Sequence, residues 1–245
     1  MSGLWLHGFT GSPAAFDAVL AARPGPVPPC RPALAGHGLA PAPVASFEAE
    51  VDRLAGIAEE AGPGPLHLLG YSLGARFALA LALAYPRRVR ALTLIGASPG
   101  IDDPAERRMR AEADDRLAAL LEHEGLPAFV ERWQAQPLFA SQAALPEPLR
   151  RAREAERLAH VPHALAAALR AFSKGRMPSL WPRLPALELP VTLVVGALDG
   201  KFLVEAERTA ARLPHARVVV VPAAGHDVGL EQPAALAALL AEVGA

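Results

Sequence analysis

The chain is poor in three things: cysteine, lysine and long apolar runs. A single cysteine, Cys30, in 245 residues excludes an intrachain disulfide and any cysteine cluster for zinc. Neither charge is in excess, with 24 Lys and Arg against 25 Asp and Glu, a formal net of −1 at pH 7. Nucleic-acid binders ordinarily carry a basic excess, so no nucleic-acid partner is expected. The longest aliphatic stretch, residues 77–84, falls far short of the roughly 20 residues that span a bilayer, so no membrane insertion is expected. The start, Met1-Ser2-Gly3-Leu4-Trp5-Leu6, has no basic region before its apolar residues and runs straight into His7-Gly8. No secretory signal is therefore expected, and the cytoplasm is the expected compartment. Lys174 and Lys201 are the only lysines, so 22 of the 24 cations are arginine. That bias fits GC-rich coding or a need for planar anion-binding forks, and composition does not choose between them.

What is present points to a packed α/β chain. Hydrophobic residues make up 52%, and the 25 Pro and 20 Gly are scattered singly at plausible turns. Residues 4–6, 66–69, 91–95, 191–195 and 217–221 are short continuous apolar runs, the pattern of strands buried on both faces. Between them, residues 47–61, 73–84, 204–213 and 233–243 have helical periodicity. This alternation predicts a mostly parallel sheet flanked by helices. Residues 23–32 hold five prolines and predict only a short or irregular edge segment.

One stretch breaks the alternation. From about residue 104 to 184 the pattern is helical only, with helices expected over 106–122, 126–134, 148–159 and 162–172. The expected organisation is a core of residues 1–103 and 185–245, with residues 104–184 as an all-helical lid inserted between sheet strands. Across residues 102–183 the charges are 13 basic and 12 acidic, so any anion binding there must come from a few aimed arginines.

The strongest chemical signal is Gly70-Tyr71-Ser72-Leu73-Gly74, placed directly after one expected strand and before an expected helix. Glycines at both ends let strand and helix approach closely around a strained serine whose Oγ stands above the sheet. A serine hydroxyl is a poor nucleophile or base unless a histidine takes its proton and a carboxylate orients that histidine. Asp199 and His226 follow the last two expected strands in the required order, and each leaves the same sheet edge as Ser72. Asp227, next to His226, is a rival carboxylate, but neighbours on a tight loop rarely orient each other's rings. The N–H groups of Phe9, in Leu6-His7-Gly8-Phe9, and of Leu73 are the expected two-donor oxyanion hole. His7 is read as a brace, not as a catalyst.

Together these pieces resemble the α/β-hydrolase superfamily over the whole chain apart from its start. Many members carry a β-hairpin before the His-Gly strand, and this chain begins almost on that strand. Finer details are similar to the 2-succinyl-6-hydroxy-2,4-cyclohexadiene-1-carboxylate (SHCHC) synthases of menaquinone biosynthesis. They are Gly70-Tyr71-Ser72-Leu73-Gly74-Ala75-Arg76, Ser98-Pro99-Gly100-Ile101, Arg107 and Arg110 ahead of Asp114, Trp133 through Ser141, and Asp199-Gly200-Lys201-Phe202. The resemblance implies a cofactor-free, metal-free lyase in which the triad acts as base and pyruvate is eliminated from a polycarboxylate small molecule. It also implies that arginines hold the carboxylates, here Arg76, Arg110 and, within the cluster of arginines at 150–157, Arg157. Trp133 and Phe139 would line the pocket. A carboxylesterase working through an acyl-Ser72 would need no such arginines, and a non-catalytic receptor on the same scaffold would also retain the triad.

Overall fold

Each apolar run becomes a strand of one parallel sheet in the computed structural model, which describes residues 3–23 and 29–242. The strands are β1 (Gly3–Leu6), β2 (Leu66–Tyr71), β3 (Val89–Ile95), β4 (Val191–Gly196) and β5 (Ala216–Val221), ordered β1-β2-β3-β4-β5. The alternation of side chains along each strand sorts two cores. Leu4, Leu6, Leu68, Leu92, Leu94, Leu193 and Val195 pack on one face, with helices α2 (Phe47–Glu60), α3 (Leu73–Ala84) and α8 (Gly200–Ala210). Trp5, Leu69, Tyr71, Ile95 and Val194 pack on the other, under α1 (Asp17–Ala22), the short α9 (Val228–Glu231) and α10 (Pro233–Glu242). This two-sided burial is why β1 to β4 are largely apolar along their length, whereas β5, at the sheet edge, is only partly buried and exposes Val220.

Beyond β1 the sheet edge is a single parallel bridge between Leu4 and Cys30, made by Trp5 N–H to Cys30 O and Cys30 N–H to Gly3 O. The next donor toward β1 would be residue 32, and Pro32 lacks an N–H, so the ladder cannot extend beyond Cys30 in that direction. Residues 24–28 of the expected edge segment lie outside the described residues.

Between β3 and β4 lie α4 (Pro104–His123), α5 (Gly125–Gln134), α6 (Glu147–Arg157) and α7 (Pro162–Ala171), with a 3₁₀ segment at Pro137–Ala144. Their shared apolar cluster, including Leu121, Phe129, Val130, Trp133, Phe139 and Leu165, packs against Phe9 from the loop after β1. None of the described helices is long and apolar enough to cross a membrane.

The helix expected over residues 204–213 runs instead over Gly200–Ala210. Asp199 caps it, accepting the Phe202 N–H at 3.3 Å, so the helix begins as soon as the strand loop ends. One carboxylate thereby links β4, α8 and the site.

Outside the site, His7, His37, His67 and His160 are buried, and burial pushes the pKa of each below its usual value, to about 4 for His7 and His67. The unfolded chain binds a proton to these rings below about pH 6.5, while the folded chain refuses it until the pH is lower, near 4 for His7 and His67. Their contribution is therefore present above pH 6.5 and lost as the pH falls through this window. For His7 and His67 the loss is of order 3 kcal/mol each. Urea unfolding between pH 7 and 4 should show a steep decline, flattened in His67→Gln.

Candidate active site

Ser72 sits at the turn from β2 into α3 with φ 51° and ψ −105°, a strained conformation for a non-glycine residue. The neighbouring glycines make that turn possible. A Cβ on Gly74 would lie 2.1 Å from Leu6 O, and one on Gly70 would lie 2.4 Å from Gly74 O. Ser72 N–H donates to Ile95 O at 2.8 Å, tying the turn to the end of β3.

His226 follows β5, and its Nδ1 donates to Asp199 Oδ2 at 2.7 Å. Its Nε2 is then the acceptor facing Ser72 Oγ at 3.0 Å. The imidazole is buried and flanked by Phe202 and Tyr71, with ring centroids at 4.5 and 5.4 Å. Asp227 turns elsewhere: Oδ1 accepts from Leu230 N–H at 3.2 Å and Oδ2 pairs with Arg153 at 3.4 Å. A hydroxyl bonded to a neutral, carboxylate-oriented imidazole can pass its proton on, and the imidazolium that forms is stabilised by the carboxylate.

Gly96, at the end of β3 with φ +57°, gives His226 its seat. A Cβ there would stand 2.6 Å from Cε1 and 2.9 Å from Nδ1 of the ring. Gly96→Ala should lower turnover by on the order of 100-fold, the cost of a ring misplaced by about 1 Å. A melting temperature within a few degrees of wild type would separate this from unfolding.

Phe9 and Leu73 both line the cavity above Ser72. Leu73 is the first residue of α3, where backbone N–H groups lack intrahelical partners. The turn carrying Phe9 is closed by Gly11 N–H to Gly8 O at 3.0 Å. His7 braces it, donating from Nδ1 to Gly8 O at 2.8 Å and accepting from Leu34 N–H at 3.1 Å.

The cavity has a volume of about 440 Å³, and Trp133 and Phe139 are in its wall. Arg76, one turn beyond Ser72, also lines it and is half-buried. Its Nη1 donates to Phe172 O at 2.5 Å, and no ion pair among the described residues involves it. Burial first, and Arg110 second, push its pKa down to about 9, so it stays cationic at neutral pH. Arg110 lines the same wall, held through Nε to both oxygens of Asp114 at 3.0 and 2.9 Å.

Arg157 is not brought to this wall. It lies over the ring of Phe139, 5.1 Å from the centroid, and donates to Gln142 Oε1 at 3.0 Å and Gln134 Oε1 at 3.3 Å. It lines a second cavity of about 410 Å³ that shares Phe139 with the first. Two cations in the wall of the Ser72 cavity were not foreseen as site residues, Lys174 and Lys201. Lys201 stands within the Asp199-Gly200-Lys201-Phe202 motif, whereas the one signal for Lys174 is that lysine occurs only twice in the sequence. Among the described residues, no three His, Cys, Asp or Glu side chains are grouped to hold a metal ion.

A parallel sheet ending in a serine elbow, with its acid and histidine supplied by the loops after later strands, is the architecture of the α/β-hydrolases. The chain belongs to the alpha/beta hydrolase family, whose profile matches residues 4–239. More particularly, it is 36% identical to the putative SHCHC synthase of Bacillus subtilis (strain 168), over 97% of this chain and 88% of the relative. It is equally identical, 36%, to the SHCHC synthase of Enterobacter sp. (strain 638), over 98% and 90% of the two chains. The solved structure of MenH from S. aureus superposes with a TM-score of 0.94 at 29% identity, covering 99% of this chain and 92% of that one. A thermophilic esterase from Thermogutta terrifontis, solved with malate bound, superposes at 0.86 with 27% identity, covering 99% and 89%. The chain is thus an enzyme of this superfamily whose sequence is similar to SHCHC synthases.

Proposed function

We propose that the chain is a cofactor-free carbon–oxygen lyase of the SHCHC synthase type, serving menaquinone biosynthesis. Ser72 and His226 act together as the base, and Asp199 holds the imidazole in the accepting tautomer. They remove a proton from the cyclohexene ring of the succinyl-enolpyruvyl precursor. The ring's C–O bond to the enolpyruvyl group then breaks, and the departing enolate collects a proton to become pyruvate. No water is added. The N–H groups of Phe9 and Leu73 stabilise the enolate-like oxyanion, and Arg76 and Arg110 hold carboxylates. Residues 104–184 act as the lid that keeps the cavity poor in water.

The observation that carries this reading is Arg76, a cation with no carboxylate partner among the described residues, in the same cavity as the Ser72–His226–Asp199 chain. Hydrolysis of a neutral ester gains nothing from that charge, whereas a polycarboxylate substrate requires it. The second reading, an esterase acting through acyl-Ser72, is favoured by the likeness to the Thermogutta terrifontis enzyme.

The test is pyruvate release from the precursor against a no-enzyme blank, since the precursor can lose pyruvate unaided. Release well above the blank supports the lyase. A rate at the blank, with cleavage of simple esters, replaces it by the esterase.

A further inference from the structure

Of the 24 cations in the chain only two are lysines, and both line the Ser72 cavity, although that wall is built from roughly a tenth of the residues. We propose that Lys174 is the cation that receives a third substrate carboxylate, a task for which Arg157, held behind Phe139, is not positioned. This inference rests on the lyase reading. SHCHC has one carboxylate on its ring and one on its succinyl arm, and the group lost as pyruvate has a third.

Lys174 is presented by a clamped turn. Ser173, before it, donates from Oγ to Asp114 Oδ2 at 2.7 Å, and Gly175 N–H, after it, donates to Ser173 Oγ at 3.1 Å. Gly175 is pressed so closely on α4 that a Cβ there would lie 2.3 Å from Arg107 O. The ammonium between these anchors forms no ion pair among the described residues. The charged groups facing it are Glu205 and Lys201 from α8, Arg110 from α4 and Arg76 from α3. The acids nearby are already engaged: Glu205 accepts from Ser98 Oγ at 2.7 Å, and Asp114 holds Arg110 and Ser173. Burial and the neighbouring cations lower the Lys174 pKa to about 8. An incoming carboxylate supplies the missing counter-charge.

Lysine is cationic below its pKa, so a carboxylate is held below about pH 8 and released above it. For pyruvate release by wild type, kcat/KM should fall above about pH 8, the limit belonging to the free enzyme. In Lys174→Arg the profile should stay level to about pH 9. Lys174→Met should raise KM at pH 7 at least tenfold while kcat changes less than threefold, with its melting temperature confirming a folded protein. A second readout does not depend on turnover: calorimetric titration with propane-1,2,3-tricarboxylate, whose Kd should weaken at least tenfold in Lys174→Met. If pyruvate release exceeds the blank but Lys174→Met leaves KM and this Kd within twofold of wild type, the Lys174 assignment is wrong. If pyruvate release stays at the blank while the probe still binds in a Lys174-dependent way, the lyase reading fails and the carboxylate subsite stands. A wild type that neither releases pyruvate nor binds the probe overturns both.

Discussion

Ser72→Ala should lower pyruvate release by about 1,000-fold, and His226→Ala should lower it by a similar factor. General-base catalysis by a positioned side chain is worth roughly 100- to 10,000-fold. Here the proton path is one unit, since Ser72 Oγ reaches His226 Nε2 at 3.0 Å and His226 Nδ1 reaches Asp199 Oδ2 at 2.7 Å. Members of one unit lose their effects together, so the double variant should be little worse than either single one. Asp199→Asn isolates the orienting carboxylate. An amide nitrogen at the Oδ2 position would donate to Nδ1, forcing the ring proton onto Nε2. The ring could then no longer accept from Ser72, and the loss should match that of the serine variant. Asp199 also caps α8 through Phe202 N–H, and asparagine preserves that cap, so the fold should stay intact. The check is steady-state pyruvate release at fixed pH with melting curves for each variant. Ser72→Ala retaining more than a tenth of wild-type turnover would remove serine from the base.

Much of this arrangement was legible in the sequence because a few residue types admit one geometry. Gly70 and Gly74 flank Ser72 at the spacing that permits helix α3 to touch Leu6 O, and no side chain fits there. Asp199 and His226 were legible by position, since each follows a continuously apolar run and all parallel strands end on one edge. The start of α8 was not, because periodicity sees apolar residues and does not see that Asp199 serves as both orienter and cap. The direction of Arg157 was hidden for a different reason. Four arginines lie between positions 150 and 157, all four line the second cavity, and Arg157 lies over the ring of Phe139, which is in the wall of both. Lys174 belongs to no motif. It sits in a turn after α7, and its surroundings exist only once α3, α4 and α8 converge. Local pattern carried the Ser72–His226–Asp199 chain, while tertiary packing decided which charges face the cavity.

Those charges separate the two readings of the enzyme, and Arg76 is the residue on which they disagree most. A charge-assisted hydrogen bond to a substrate carboxylate contributes about 1.5–3 kcal/mol, which corresponds to roughly 10- to 150-fold in kcat/KM. Arg76→Met should therefore lower kcat/KM for pyruvate release by on the order of 100-fold, chiefly through KM. Arg76→Lys should recover part of this, since the charge returns but the planar fork does not. The arginine also donates to the buried Phe172 carbonyl, so methionine carries a structural cost that lysine can relieve. A neutral ester offered to the same variants provides the internal control. If a folded Arg76→Met cleaves that ester as fast as wild type yet releases pyruvate poorly, the arginine acts on the substrate's charge and the triad is unharmed. If pyruvate release is unchanged, no carboxylate is held at Arg76, and the charged wall of this cavity serves some other ligand. If both activities fall in parallel with the melting temperature, the bond to Phe172 is what matters. Arg76→Lys then decides, because it restores a donor and a positive charge without restoring the bidentate fork.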